Sequence, residues 1–436
     1  MFLQKILFRE KFSCLFMSIV VFILVVFYCF KKPILGLALL LQTNIIRGAL
    51  KIDYVDPCFG CPNEPDIFLG MVMPLVGFSL ILLRSDFIKK EIKYPIDVAD
   101  FYFFSLLVVL LFTSAYAYDT AAALGVFFKF LFLSFAFFFT SKIVIANSSE
   151  PKRLIGLFLL CSYWLSILFG IIASILYVQK GFGQGYWRLT IPGVHPIPYS
   201  QLIGLGAIAS FLIFVTNGAY FNIKSKFRLN FNKIILPFLL IVLFATNTRG
   251  VMVSFFAFVL FYIVLSKVKI KKSVLYISGS VVGLILFLAI AYIDFDVLFE
   301  RLFSSYTKKS TSDRFIAYYD SLQLFISHPF GIGSEAFQHF SILPYPHNYF
   351  LELIAQYGIF GLALAILLAL VLLYMFFITI RLKKRDNTIV ILFCLVLYFL
   401  IEAMFSFTIW MHKGLCLTMG FFMAYFYIYK AKKVNL

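Results

Sequence analysis

The sequence predicts an all-α polytopic membrane protein with about 12 transmembrane helices, and three observations predict it. Of the 436 residues, 62% are hydrophobic and only 13% are charged, whereas a soluble domain is roughly 45 to 50% apolar and about 25% charged. The apolar residues fall in runs long enough to cross a bilayer, separated by short polar breaks. Those breaks carry clustered Lys and Arg, the pattern of cytoplasmic loops. At roughly 20 residues per crossing the length leaves no room for a separate catalytic domain. Residues 1–436 therefore read as a single integral membrane domain, with any chemistry on loops or in clefts between helices.

In chain order, the runs lie near 12–30, 33–48, 67–84, 100–117, 121–140, 156–178, 199–217, 234–247, 250–266, 273–293, 350–380, 388–405 and 415–430. The first reads as a signal anchor, since no small-residue cleavage site follows it. Lys5, Arg9 and Lys11 precede that run, and Lys31 and Lys32 follow it. A crossing for each of the first two runs would put one of these basic groups outside. One crossing plus a partial or interfacial segment resolves the parity and gives about twelve spans. Cys58 and Cys61, in DPCFGCP, fall on an expected outer loop. A local disulfide is open there, while zinc lacks the further His or Cys it needs. The other cysteines lie in or beside apolar runs and read as buried thiols.

The net charge of +18 reads as topology. The groups Arg84/Lys89/Lys90/Lys93, Lys224/Lys226/Arg228/Lys233, Lys267/Lys269/Lys271/Lys272, Arg381/Lys383/Lys384/Arg385 and Lys430/Lys432/Lys433 alternate with outward connections. This excludes nucleic acid as a partner and makes membrane lipids the surroundings. No nucleotide-binding glycine loop and no internal repeat is present, which argues against an ATP-driven pump. A transporter would place charges within several spans around a midplane site; here they gather outward.

The longest outward connection, 294–349, reads as a loop with short amphipathic helices and as the place where function is concentrated. From Ser312 the chain reads SDRFIAYYDSLQLFISHPFGIG, a helix capped by Ser312 or Asp313 with Arg314 in its first turn. Phe315, Tyr318, Tyr319, Leu322 and Phe325 form an apolar stripe suited to the membrane surface. Gly331 and Gly333 permit a turn that other residues resist. Asn348 can cap the following helix, with Glu352 on the same face, which sets His347 just before a helix N-terminus. Such an end offers free N–H groups to phosphate oxygens. Two further arginines face outward: Arg249 in TNTRG, between two spans, and Arg188 in GYWRLTIPGVHPIPYSQ. Each either meets an anion or serves as an interfacial or paired arginine, and His195 reads as a loop histidine. Arginines suit a diphosphate because the guanidinium fork matches its oxygens; a histidine adds a group that titrates near neutrality. No paired carboxylates and no metal set are visible.

The order RLT, PG, TRG between two spans, SDR, HPFGIG and HNYFLELIAQYGIFGLA resembles the O-antigen ligase and O-antigen polymerase superfamily of bacterial surface-polysaccharide assembly. The resemblance covers about 100–430 and is most specific over 312–363. It implies a metal-independent glycosyltransferase of the membrane-embedded type C fold, requiring no cofactor, in the bacterial inner membrane with its site facing the periplasm or exterior. The donor it implies is a glycan on undecaprenyl diphosphate. The acceptor is a glycan or a lipid A core, and a chain-length regulator is a candidate protein partner. By position in the motifs, the resemblance implies catalytic roles for Arg249, Arg314 and His347, with Arg188, Asn348, Tyr318, Gly331 and Gly333 binding substrate. His347 would be a base or a phosphate ligand. The PGVHPIP stretch departs from the family pattern and weakens Arg188. The expected activity is polymerisation of lipid-linked repeat units, with ligation or lipid-linked oligosaccharide flipping as alternatives.

Overall fold

A computed structural model describes residues 19–50, 72–84, 92–180, 188–191, 193–266 and 305–434. The expected span at 273–293 and the pair Cys58 and Cys61 lie outside these residues. The described residues are helical, with no strand among them, so the chain is an all-α polytopic membrane protein. Among the described residues, six helices are long and apolar enough to cross a bilayer: Thr120–Ala146, Pro151–Gln179, Pro196–Val215, Lys226–Ala245, Arg249–Ser266 and Tyr349–Leu382. Shorter apolar helices occupy Ile19–Lys31, Met73–Leu82, Val98–Ser114 and Asn387–Ala403, and Lys413–Val434 closes the chain. After Lys31 the chain forms only short pieces, Pro33–Leu41 and Thr43–Leu50. At about 1.5 Å per residue neither crosses alone. Of the described cysteines, Cys29, Cys394 and Cys416 are buried thiols and Cys161 is half-buried.

The chain forms two compact units. The first comprises the described residues of Met1–Pro95, Ala136–Phe256 and Ala424–Leu436; the second comprises those of Ile96–Phe135 and Ala257–Met423. In the first, the 196–215 helix is buried along most of its length, with Leu202, Ile203, Leu205, Ala207, Ile208 and Leu212 closed from solvent. Gly206 permits this: a Cβ there would lie 2.3 Å from the Ser166 side chain. Ser166 donates to the carbonyl of Leu202 at 2.7 Å. Ser210 donates to Asn232 Oδ1 at 2.7 Å, and Asn232 Nδ2 returns a bond to the Ser210 carbonyl at 3.0 Å. Small residues and cross-helix polar bonds of this kind supply the association that lipid-soluble surfaces cannot.

In the second unit, capping side chains set the helix starts. Asp97 and Asp100 form a capping box at 98–114, Asp119 caps 120–129, Asn348 caps 349–382 and Asp386 caps 387–403. Residues 130–135 form a π-helical turn within the 120–146 helix. Ser134 there donates to the Trp410 carbonyl at 2.5 Å, and Lys129 stands over the Trp410 ring at 5.0 Å. This pins the non-helical stretch between the 387–403 and 413–434 helices.

Candidate functional site

The helix carrying Arg314 covers Ser305–Ser327, so the chain is already helical ahead of the cap expected at Ser312 or Asp313. Its polar first turns read as loop in the sequence, yet propensity differences of a few tenths of a kcal/mol per residue do not stop a helix that packs further on. Ala317, Ser321 and Leu324 form its buried face. Phe315, Tyr319, Leu322 and Ile326 lie opposite and are 48% to 72% exposed. Tyr318 and Phe325 are half-buried. The buried face joins a cluster of Ala317, Leu324, Ile332, Ala336, Phe337 and Ala355, with Leu343 against it. That cluster ties the Arg314 helix to the glycine turn and to the start of the 349–382 helix.

Backbone interlocking fixes the turn. Gly331 and Gly333 have φ of 87° and 83°, and Gly358, within the 349–382 helix, has φ of 56° and breaks it. The Gly333 N–H donates to the Gln356 carbonyl at 2.9 Å, and the Ile359 N–H donates to the Pro329 carbonyl at 2.8 Å. A Cβ on Gly331 would lie 2.3 Å from the Gln356 oxygen, one on Gly358 2.2 Å from the Pro329 oxygen, and one on Gly333 2.4 Å from the Ala117 Cβ. The space these glycines leave is filled by neighbouring backbone and side chain. Gly331 and Gly333, expected to bind substrate, are thus also the points where the turn packs closely against its neighbours.

The helix break leaves 349–357 as a short piece with His347 and Asn348 at its head. Asn348 Oδ1 accepts from the N–H groups of Phe350 at 3.1 Å and Leu351 at 3.2 Å. Asn348 thus caps the helix, as the sequence predicts, and occupies two of the N–H groups at its start. Beyond the cap one face of the piece is closed from solvent, with Tyr349, Glu352, Leu353 and Gln356 buried, while Phe350, Leu351 and Ile354 are half-buried.

His347 is half-buried and has φ of 55°. Its Nδ1 is buried with no partner among the described residues, and its ring lies 4.3 Å from that of Tyr345. Burial, and then the charge of Arg314, lower its pKa to about 4. The structure thus brings Arg314 and His347 into one electrostatic neighbourhood. No described carboxylate forms an ion pair with Arg314. Tyr345 is pushed up to about 12, first by burial, then by the Glu352 charge, against Arg314, and further by Glu335.

Sequence reasoning missed what stands behind His347. Glu352 Oε1 accepts from the Thr408 hydroxyl, from the Ile409 N–H at 3.3 Å and from Gln356 Nε2 at 3.4 Å. Its Oε2 is buried without a partner among the described residues. His412, 4% exposed, lies 5.2 Å from the Tyr349 ring, and both its nitrogens are likewise unpartnered. Tyr349 in turn shares a 2.7 Å hydroxyl contact with Tyr102. A carboxylate one helical turn after a capping residue was the available signal for Glu352; nothing in MFSFTIWMH signalled its partners.

In the first unit the Leu189 N–H donates to the Ala245 carbonyl at 2.9 Å. This bond brings the chain carrying Arg188 against the break that precedes Arg249, the first residue of the 249–266 helix. Both arginines are exposed at their guanidinium-bearing residues, and both have interaction partners. His195 caps the 196–215 helix, its Nδ1 accepting from the Ile197 N–H at 3.3 Å. Burial and the Arg188 charge lower its pKa.

The first unit therefore presents Arg188, Arg249 and His195 at helix starts and a connection, and the second presents Arg314 within a helix and His347 just ahead of another. Among the described residues no group of three or more His, Cys, Asp or Glu is placed to hold a metal ion. Residues 234–366 match the family model described as O-antigen ligase. The match covers a little under a third of the chain and is a likeness to that family over these residues. The matched segment includes Arg249, Arg314, Glu335, His347, Asn348 and Glu352. No curated protein and no solved structure matches the chain.

Proposed function

We propose that the protein polymerises undecaprenyl-diphosphate-linked repeat units into O-antigen or capsular polysaccharide at the outer face of the bacterial inner membrane, without a metal. The observation that carries this reading is Arg314: half-buried, unpaired with any described carboxylate, and beside a histidine kept neutral by its surroundings. A guanidinium already committed to a carboxylate would have little to offer a diphosphate; one left open can take two oxygens at once.

The chemistry follows from the charge that develops. An acceptor hydroxyl attacks the anomeric carbon while the glycosyl–oxygen bond breaks and the diphosphate departs with the electron pair. Fixed cations that hold the leaving group more tightly as its charge grows lower the barrier. Arg314 takes that role in the second unit, and Arg249, with Arg188 near it, is the corresponding candidate in the first. A neutral His347 contributes a ring N–H to the diphosphate or its glycosidic oxygen without adding a like charge beside Arg314. The exposed stripe at Phe315, Tyr319, Leu322 and Ile326 suits a helix lying at the lipid surface. Tyr318, half-buried between the two faces, is left as a contact for the donor.

Ligation is the second reading, favoured by the description of the matched family model. Gene deletion separates the two. Loss of a polymerase leaves single repeats attached to the acceptor, whereas loss of a ligase leaves long glycans on undecaprenyl diphosphate. Unchanged surface polysaccharide in the deletion strain would contradict both.

A further inference from the structure

Backbone strain points to a group that the arginine and histidine motifs do not include. Among the described residues, six other than glycine have positive φ: Asn217, Asn222, Asn247, Glu335, His347 and Phe407. Asparagine tolerates this conformation through its short polar side chain. Histidine is also enriched there, whereas glutamate and phenylalanine are not, and Glu335, His347 and Phe407 all belong to the second unit. His347 bears the imidazole, and Phe407 precedes the Thr408 that bonds Glu352. Glu335, at φ of 62°, follows Ser334, whose hydroxyl lies 2.9 Å from that of buried Tyr357. Strain of this kind costs about 1–3 kcal/mol per residue and persists where surrounding structure imposes it, often at active sites.

The surroundings of Glu335 are imposed from both sides. Gly333 is bonded to Gln356, while Ala336 and Phe337 are buried in the cluster under the Arg314 helix. Between these anchors Glu335 stays half-exposed. No described residue forms a hydrogen bond or ion pair with its carboxylate. The other nearby acids are occupied or closed. Asp320 accepts from Ser341 at 2.6 Å, and Glu352 is sealed in the core and held by Thr408 and Ile409. The Glu335 charge acts on Glu352, and both act on Tyr345, whose ring lies 4.3 Å from that of His347 at a tilt of 51°. The site therefore does contain a pair of carboxylates, one buried and one open.

We propose that Glu335 is the general base that activates the acceptor hydroxyl. The Glu335 carboxylate takes the hydroxyl proton as the acceptor oxygen bonds to the anomeric carbon. The bond from that carbon to the diphosphate breaks, and its electron pair leaves with the diphosphate. Neighbouring charge favours Glu335 over His347 for this task. A proton on His347 sets a second cation beside Arg314, whereas a carboxylate that takes the proton adds no positive charge there.

The inference rests on the donor reading above, and its test keeps the two apart. Cells carrying Glu335→Gln or Glu335→Asp as the sole copy are scored for polysaccharide product, and the purified full chains for binding of undecaprenyl diphosphate. Glu335→Gln is expected to lower product by 10²-fold or more while binding undecaprenyl diphosphate within about twofold of the wild type. Glu335→Asp, which keeps the carboxylate, is expected to recover part of the product. Normal product from Glu335→Gln overturns the proposal, as does a loss of binding equal to its loss of product. Failure of the wild-type chain to bind undecaprenyl diphosphate overturns the donor reading itself, and this proposal with it.

Discussion

Burial strips water from the His347 ring and Arg314 opposes a second cation, so the imidazole holds its proton only below about pH 4. In an unfolded chain the same side chain titrates near 6.5. Between those values the unfolded state binds a proton that the folded state does not. The contribution of a neutral His347 to stability is therefore complete above pH 6.5 and is lost as pH falls toward 4. His347→Asn removes the titration, and Asn accommodates φ of 55° better than most residues. The wild-type Tm in detergent should fall more steeply from pH 6.5 to 4 than that of His347→Asn; parallel slopes would show that His347 is not held neutral. At the same scale, Asn348→Ala exposes two N–H groups and should cost about 1 kcal/mol of stability, with product reduced only in proportion to the folded fraction. A far larger loss of product than of folded protein would assign Asn348 to the substrate after all.

The interlock between the HPFGIG turn and the break at Gly358 sets the spacing between the Arg314 helix and the piece headed by His347. Gly358→Ala must place a Cβ 2.2 Å from the Pro329 oxygen while holding φ of 56°. The conformational strain alone costs about 1–3 kcal/mol, and the collision with backbone adds to it. Expression level and Tm should both fall, whereas Gly125→Ala, where a Cβ meets nothing within 4 Å, should leave both unchanged. Equal stability of the two variants would mean that the interlock does not hold the site. Half of this device was legible in the sequence: two glycines two residues apart, beside a proline, announce a turn. Gly358 was not, because in AQYGIFGLALAILL it stands in an apolar run whose helical reading is otherwise correct. The stretch 404–412 was hidden for a related reason, since MFSFTIWMH looks like the end of a span until Thr408 and Ile409 are seen on Glu352.

For the molecule as a whole, composition and run length were sufficient for an all-helical polytopic protein, because the bilayer leaves few ways to satisfy backbone polar groups. The clustered arginines were also visible, since a charge that interrupts an apolar run is costly and stands out. Which charges share a neighbourhood was not legible. The order Arg188, Arg249, Arg314, His347 along the chain does not reveal that the first two are joined through Leu189 and Ala245 within one unit. Nor does it reveal that Arg314 acts on both His347 and Tyr345 in the other, or that Glu335 also acts on Tyr345. A carboxylate in GSEAF has no local signature; its role emerges only when the turn, the capped helix and the buried Glu352 are assembled around it. The central claim is that this second-unit cluster receives the lipid diphosphate, and equilibrium binding of undecaprenyl diphosphate to the purified full chain tests it most directly. The wild type should bind, and Arg314→Ala should bind at least about tenfold more weakly, the equivalent of one charge-assisted contact of roughly 1.5 kcal/mol or more. Equal affinity of wild type and Arg314→Ala, with both chains folded, would contradict it.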